Sequence, residues 1–142
     1  MVDALHRISH LLRHDGALLD VHPTAEEAHV EIAHGGQVTT VGDVRTLDGP
    51  ARHAAADAAL ERAVARGILV VERTCEFSFR SHGSIEDLAS MVANEWRSAA
   101  VPPEVIAAVG RTAVPGDEVW IRERVRATRL RPAALTPCPL CQ

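Results

Sequence analysis

Asp20 and His22 stand two residues apart in the run Leu18-Leu-Asp-Val-His-Pro23. A carboxylate that orients an imidazole is the usual arrangement of a general base. In an extended strand, residues i and i+2 point the same way, so the two side chains could share one site. The plainer alternative has Asp20 capping a neighbouring loop and His22 facing solvent in the turn before Pro23. His82 follows a second strand-like stretch and precedes a helix start, where it could join a ligand pocket with Arg80; the plainer reading is a loop histidine. His6, His10 and His14 recur at i, i+4 and i+8 and form one stripe on a helix. Two histidines so spaced can bind a transition metal. No carboxylate or cysteine signature accompanies them, so a polar or dimer-facing stripe is the plainer reading. Cys138 and Cys141 have the spacing of half a zinc knuckle. A structural zinc needs four ligands, so a second copy or a histidine would have to complete the set. A redox pair and an unstructured tail are the alternatives.

The elements that must position these residues are legible from periodicity. Leu5, Ile8, Leu11 and Leu12 predict a first helix over 2–14, with Gly16 as a left-handed cap. Residues 17–21 read as a short strand without alternation, hence covered on both faces as in a parallel sheet. Residues 29–33 and 37–41 flank His34-Gly35-Gly36 and predict a β-hairpin. Residues 43–50 read as loop, and the Ala-, Leu-, Arg- and Glu-rich stretch 51–66 as helix up to Gly67. A long strand follows over 68–81, with Leu69, Val71, Cys75, Phe77 and Phe79 on one face and Cys75 expected buried. Ser84 and Asp87 resemble a capping box before a helix to about residue 97. Pro102-Pro103 starts another helix that ends near Gly110. The last strand, 118–130, turns Val119, Ile121, Val125 and Ala127 inward and Arg122, Arg124 and Arg126 outward. If it runs antiparallel to 68–81, Glu72 and Glu76 can face those arginines. The other reading of the stripe is an anion-binding surface. The class is α/β or α+β, with a mixed sheet of about five strands and helices packed on it. Residues 1–132 form a single domain, and 133–142 a flexible tail carrying Cys138 and Cys141.

Composition narrows the function classes. Of 142 residues, 46% are hydrophobic and 24% charged, which excludes bulk disorder. No apolar run reaches the roughly 18–20 residues that span a bilayer. The first dozen residues are broken by Asp3, His6, Arg7 and His10, so no signal peptide is expected and the compartment is cytoplasmic. The net charge of −4 argues against a nucleic-acid partner, which usually wants a basic face. Only two Phe and two Trp are present, which leaves no stacking platform for single strands. Nucleophile elbow, phosphate loop and His-Glu-x-x-His are all missing.

Residues 4–23 resemble the late helix and fifth strand of class I S-adenosylmethionine-dependent methyltransferases. That family often carries Arg, a hydrophobic residue, Leu, Arg or Lys, then Pro-Gly-Gly before an apolar strand. Here Leu11-Leu12-Arg13-His14-Asp15-Gly16 stands in that place, with His14 and Asp15 replacing Pro and Gly. The resemblance implies a Rossmann-like C-terminal half. Helix 51–66 and strands 68–81 and 118–130 would match the last helix and final antiparallel strand pair. The hairpin 29–41 and the helices 84–110 would be insertions. The family's cofactor sits at a glycine-rich strand-to-helix loop. No such loop occurs in this chain, since Gly35-Gly36 reads as a hairpin turn.

The expectation is therefore a methyltransferase-like domain without its own S-adenosylmethionine site, acting as a small-molecule-binding or assembly protein. A homodimer, or a separate cofactor-binding chain, would cover the edge of strand 17–21. One alternative is the acceptor-binding half of a split methyltransferase. Another is a cofactor-independent enzyme using His22 and Asp20. No cofactor is expected from the chain alone, apart from a zinc ion at Cys138 and Cys141.

Overall fold

The computed structural model describes residues 2–13, 15–47, 49–96 and 99–133. Their order is α1 (Val2–Leu11), β1 (Leu18–Pro23), β2 (His29–His34), β3 (Gln37–Asp43), β4 (Arg45–Thr46), α2 (Gly49–Ala65), β5 (Leu69–His82), α3 (Ile85–Glu95), β6 (Ala99–Ala100), α4 (Pro103–Thr112) and β7 (Glu118–Pro132). The class is mixed α/β. The main sheet has five strands in the order β1-β7-β2-β3, with β5 also paired to β7. Ile68 accepts from the Ala133 N–H and Val119 from the Gly83 N–H, so β5 and β7 run antiparallel. No helix among the described residues is long and apolar enough to cross a membrane.

The chain divides into two compact units. The first holds residues 1–21, 55–75 and 126–142, and the second 22–54 and 76–125.

In the second unit, β2 and β3 form the expected hairpin, with Ala33 opposite Val38 and His34 opposite Gln37. Gly35 and Gly36 take φ of 55° and 84°, the left-handed conformation a two-residue hairpin turn requires. β2 also pairs antiparallel with β7, Val30 opposite Ile121 and Ile32 opposite Val119. These apolar residues leave one sheet face and meet α3 and α4. On α3, Ile85, Leu88 and Val92 recur at i, i+3 and i+7, the spacing of one buried stripe. The Asp87 N–H donates to Ser84 Oγ at 3.1 Å, the predicted cap. Val105 and Val109 of α4 complete the core beside Val44 and Val101. A Cβ at Gly42 would come within 2.5 Å of Val105, so β3 lies against α4 too closely for any side chain there.

In the first unit, the buried core is Ala63, Leu69 and Leu130, flanked by half-buried Leu5, Leu18, Leu60, Val64 and Ile68. Four expectations need correction. β1 is not covered on both faces: Leu19 is 65% and Val21 50% exposed, because only the side carrying Leu18 reaches the core. Cys75 is exposed, as are Phe77 and Phe79. The alternation of β5 defines two faces but cannot supply an element to cover either, and beyond Leu69 nearly every residue of the strand is exposed. Gly16 is not among the glycines with positive φ; its N–H closes a tight turn onto the Arg13 carbonyl instead. Finally, the stretch read as loop contains β4, which pairs with β6, and α2 already begins at Gly49.

The arginine stripe of β7 is held by carboxylates. Arg124 meets Glu76 at 2.9 Å, as the antiparallel register requires. Arg122 pairs instead with Glu31, and Arg126 with Asp57. Glu72 takes Arg129 and Arg131. The exposed pairs of Arg124 with Glu76 and of Arg129 and Arg131 with Glu72 contribute about 0–1 kcal/mol each, so they set register more than stability.

Candidate functional site

Asp20 and His22 share the half-buried side of β1 with Leu18, and each engages neighbouring groups. Asp20 belongs to the first unit and His22 to the second. Neither lines the cleft of about 250 Å³ in the second unit or the cavity of about 810 Å³ beside α1. Arg80 and His82 do come together. The Arg80 guanidinium lies 4.8 Å from the Trp120 ring centroid, and the His82 ring packs edge-on at 5.2 Å. Beneath them, Trp120 Nε1 donates to Glu31 at 2.6 Å and Arg122 Nε donates to the other carboxylate oxygen at 2.7 Å. Burial pushes the Glu31 carboxyl up, but these donors and the nearby arginines outweigh it and hold the group below its ordinary range. Every buried side-chain polar atom among the described residues has a partner. This cluster therefore ties β2, β5 and β7 together, and its acceptor is already occupied from within.

The open chemistry lies elsewhere in the second unit, in a cleft of about 250 Å³. Local structure explains its walls. After β1, the Thr24 N–H donates to the Arg124 carbonyl at 2.9 Å, and Thr24 Oγ1 accepts from the Glu26 N–H at 3.3 Å. That turn lays Glu26 and Glu27 along the cleft. β4 and β6 pair with Thr46 opposite Ala99, which brings both strands into the lining. The first turns of α2 add Arg52 and His53, the end of α3 adds Trp96, and β7 adds Glu123.

The carboxyls of this cleft stand in opposite conditions. Glu26 accepts from His29 and from Arg124, each at 3.2 Å, and the two hold its carboxyl below the ordinary range. His29 is also bound by Asp43 at 2.6 Å; burial disfavours its cation, but Asp43 and Glu26 outweigh burial and raise its pKa. Burial alone pushes Glu123 up. One carboxylate is thus fixed as an anion while the other is driven towards its neutral form, a division seen where carboxyls are assigned separate roles.

The sequence reading passed over both residues. Glu26 falls in the short polar stretch Thr24-Ala-Glu-Glu27 between two strands, which carries no periodicity. Glu123 did leave a signal: it occupies the inward series Val119, Ile121, Val125, Ala127 of β7, and a carboxyl in an apolar series is an anomaly to explain.

Gly35-Gly36 is not the strand-to-helix loop that holds the cofactor in the resembled family. Gly35-Gly36 closes a hairpin with no helix behind it, and a Cβ at either glycine would meet nothing within 4 Å. His6 and His10 approach each other on α1, while His14, Cys138 and Cys141 lie outside the described residues. Comparison with protein-family models, with curated proteins and with solved structures finds no match to this chain.

Proposed function

We propose that this chain is a methyltransferase-like, small-molecule-binding domain without its own S-adenosylmethionine site, and that the cleft of the second unit takes a small organic cation. The paired condition of Glu26 and Glu123 carries this reading. Glu26 already has two cationic partners, whereas Glu123 is disfavoured as an anion by burial alone. A bound ammonium group would give Glu123 the counter-charge that offsets its desolvation. The Trp96 ring offers an aromatic wall to the same cation. Arg52 supplies donors for a carbonyl or carboxylate at the ligand's other end. The volume is below the roughly 300–1,000 Å³ of drug-sized sites, so the ligand is small. Calorimetric titration with small amines and their neutral isosteres tests the proposal. Amines bind in preference to isosteres, and Glu123→Gln weakens them at least about tenfold. Equal affinity for both series, or indifference to Glu123→Gln, ends it.

A second reading is the acceptor-binding half of a split methyltransferase. It is favoured by the succession α2, β5 and β7, in which β5 pairs antiparallel with β7 as in the family's last helix and final strand pair. The segments that would be insertions, 29–41 and 84–110, fall wholly in the second unit. This reading requires co-purification with a chain bearing a glycine-rich cofactor loop, and methyl transfer only when both are present. Self-association is proposed alongside either reading, supported by the exposed Leu19, Val21, Phe77 and Phe79. A strictly monomeric mass in light scattering at micromolar concentration removes it.

A further inference from the structure

We infer that residues 76–80 of β5 pair across their open edge with the same residues of a second copy, antiparallel and with Ser78 on the two-fold axis. The inference rests on the self-association proposed above and gives it a place and a register.

The edge is the first observation. Among the described residues, β7 is the strand paired to β5, and every residue from Val70 to Arg80 is exposed. The backbone groups that face away from β7 follow from two contacts. The Gly83 N–H donates to the Val119 carbonyl at 3.3 Å, and Thr74 Oγ1 lies 3.4 Å from Thr128 Oγ1. Residues 74–83 and 119–128 are stretches of equal length, so no bulge interrupts the pairing between those contacts. Alternation back from Gly83 turns the N–H and C=O of Glu76, Ser78 and Arg80 towards the open edge. A row of unpaired backbone groups is a template for another strand, and proteins that must stay apart blunt it with Pro, Lys or a bulge. Segment 76–80 carries neither Pro nor Lys.

The sequence along that edge is the second observation. Glu76-Phe-Ser-Phe-Arg80 reads alike in both directions except at its ends, which carry opposite charge. About an axis through Ser78, Phe77 of each copy stands opposite Phe79 of the other, and Glu76 opposite Arg80. An axis perpendicular to the sheet preserves its faces, so all four rings gather on one side and all four charges on the other. Phe77 and Phe79 are 46% and 57% exposed, which leaves both rings surface to bury. They fall at the positions without backbone hydrogen bonds, where side chains of opposite strands come closest and aromatic pairs contribute most. On the other side, Glu76 keeps Arg124 at 2.9 Å and gains the guanidinium of the partner's Arg80. An axis through Glu76 or Arg80 sets like charges against each other, and one through Phe77 or Phe79 separates Glu76 from Arg80. The segment is therefore complementary to itself in one register, which makes a second copy its partner.

The test uses the whole chain in sedimentation velocity over a dilution series. The parent sediments as a dimer at micromolar concentration. Ser78→Pro is a monomer with the far-UV circular dichroism of the parent, because the lost N–H faces the open edge, where Pro is tolerated. Glu76→Arg and Arg80→Glu each set like charges opposite one another and weaken the dimer about tenfold. Mixed together, these two variants restore both charge pairs and form a heterodimer as tight as the parent dimer. Should Ser78→Pro lose its fold, the charge variants decide alone. A monomeric parent removes the inference together with self-association. A dimer indifferent to a folded Ser78→Pro, or charge variants that associate no better mixed than alone, removes this register and leaves self-association to another surface, such as that of Leu19 and Val21.

Discussion

The two units are built from similar pieces and reach different degrees of burial. Each packs helices on antiparallel strands. Among the described residues, eleven buried apolar side chains of the second unit form one cluster between a sheet face and α3 with α4. Three of the first unit form another. The difference lies in side-chain size along the helices. The core stripes of α3 and α4 are Ile85, Leu88, Val92, Val105 and Val109, while the fully buried residues of α2 are Ala59 and Ala63, with Leu60 and Val64 only half-buried beside them. Alanine is the best helix former, so α2 is long and regular. Alanine also buries the least apolar area, at roughly 25 cal/mol per Å², so the fully buried positions of α2 contribute less than the Ile, Leu and Val of α3 and α4. Propensity made the helix, and side-chain area decided how much core it could seal.

Truncating one core residue in each unit is the strongest way to break this comparison. Ile121→Ala and Leu130→Ala each fall in the range of about 2–5 kcal/mol expected for such changes. Ile121→Ala belongs near the top, because its neighbours are held from both sides. Leu130→Ala belongs near the bottom, because the thin core can relax around it. Urea denaturation of both variants orders them, and a larger loss for Leu130→Ala refutes the picture of a slack first unit.

A pair of glycine substitutions sharpens the claim of tight packing in the second unit. Gly42→Ala drives a methyl into Val105, a branched side chain stiff at χ1, and costs about 1–3 kcal/mol. Gly110→Ala, in the helical backbone of α4 with open space around it, gains up to about 1 kcal/mol. Thermal melts of the two should move in opposite directions, and a tolerated Gly42→Ala contradicts the observed approach.

The smallest effect concerns the cleft. Burial raises the Glu123 pKa above its unfolded value, so the fold prefers the protonated carboxyl. Its contribution is complete below the unfolded value of 4.5 and is lost as pH rises through the higher folded value. At pH 7 Glu123 therefore opposes folding, and Glu123→Gln stabilises by about 0.5–1 kcal/mol while weakening the ligand. Below pH 4.5 the gain disappears. A melting temperature that falls at pH 7 shows instead that Glu123 has a structural charge partner.

Most elements were legible because each is announced by local chemistry. Gly35-Gly36 specified the hairpin turn, Ser84 with Asp87 the start of α3, and Pro102-Pro103 the start of α4. β4 and β6 were not legible, since a two-residue pairing has no periodicity of its own. Neither was the cluster of Trp120, Glu31, Arg80 and His82. Sequence placed Trp120 on the arginine face of β7, and only the approach of β2 and β5 buries it there. Of the candidate site residues, Arg80 and His82 each pack on the Trp120 indole, which no spacing along the chain announces.

The sequence by itself determined the type and order of the main elements, and which residues share a face, because periodicity and capping act within a few residues along the chain. Only the tertiary structure decided which faces are covered. Phe77 and Phe79 alternate as a buried face would, yet they lie open because no element of the second unit packs on them. Glu123 alternates with core residues, and it lines a cleft because residues distant in sequence, from the turn after β1 to β6, close around it. Burial is a property of neighbours, and it is burial that separates Glu123 from Glu26 and makes the cleft chemically uneven.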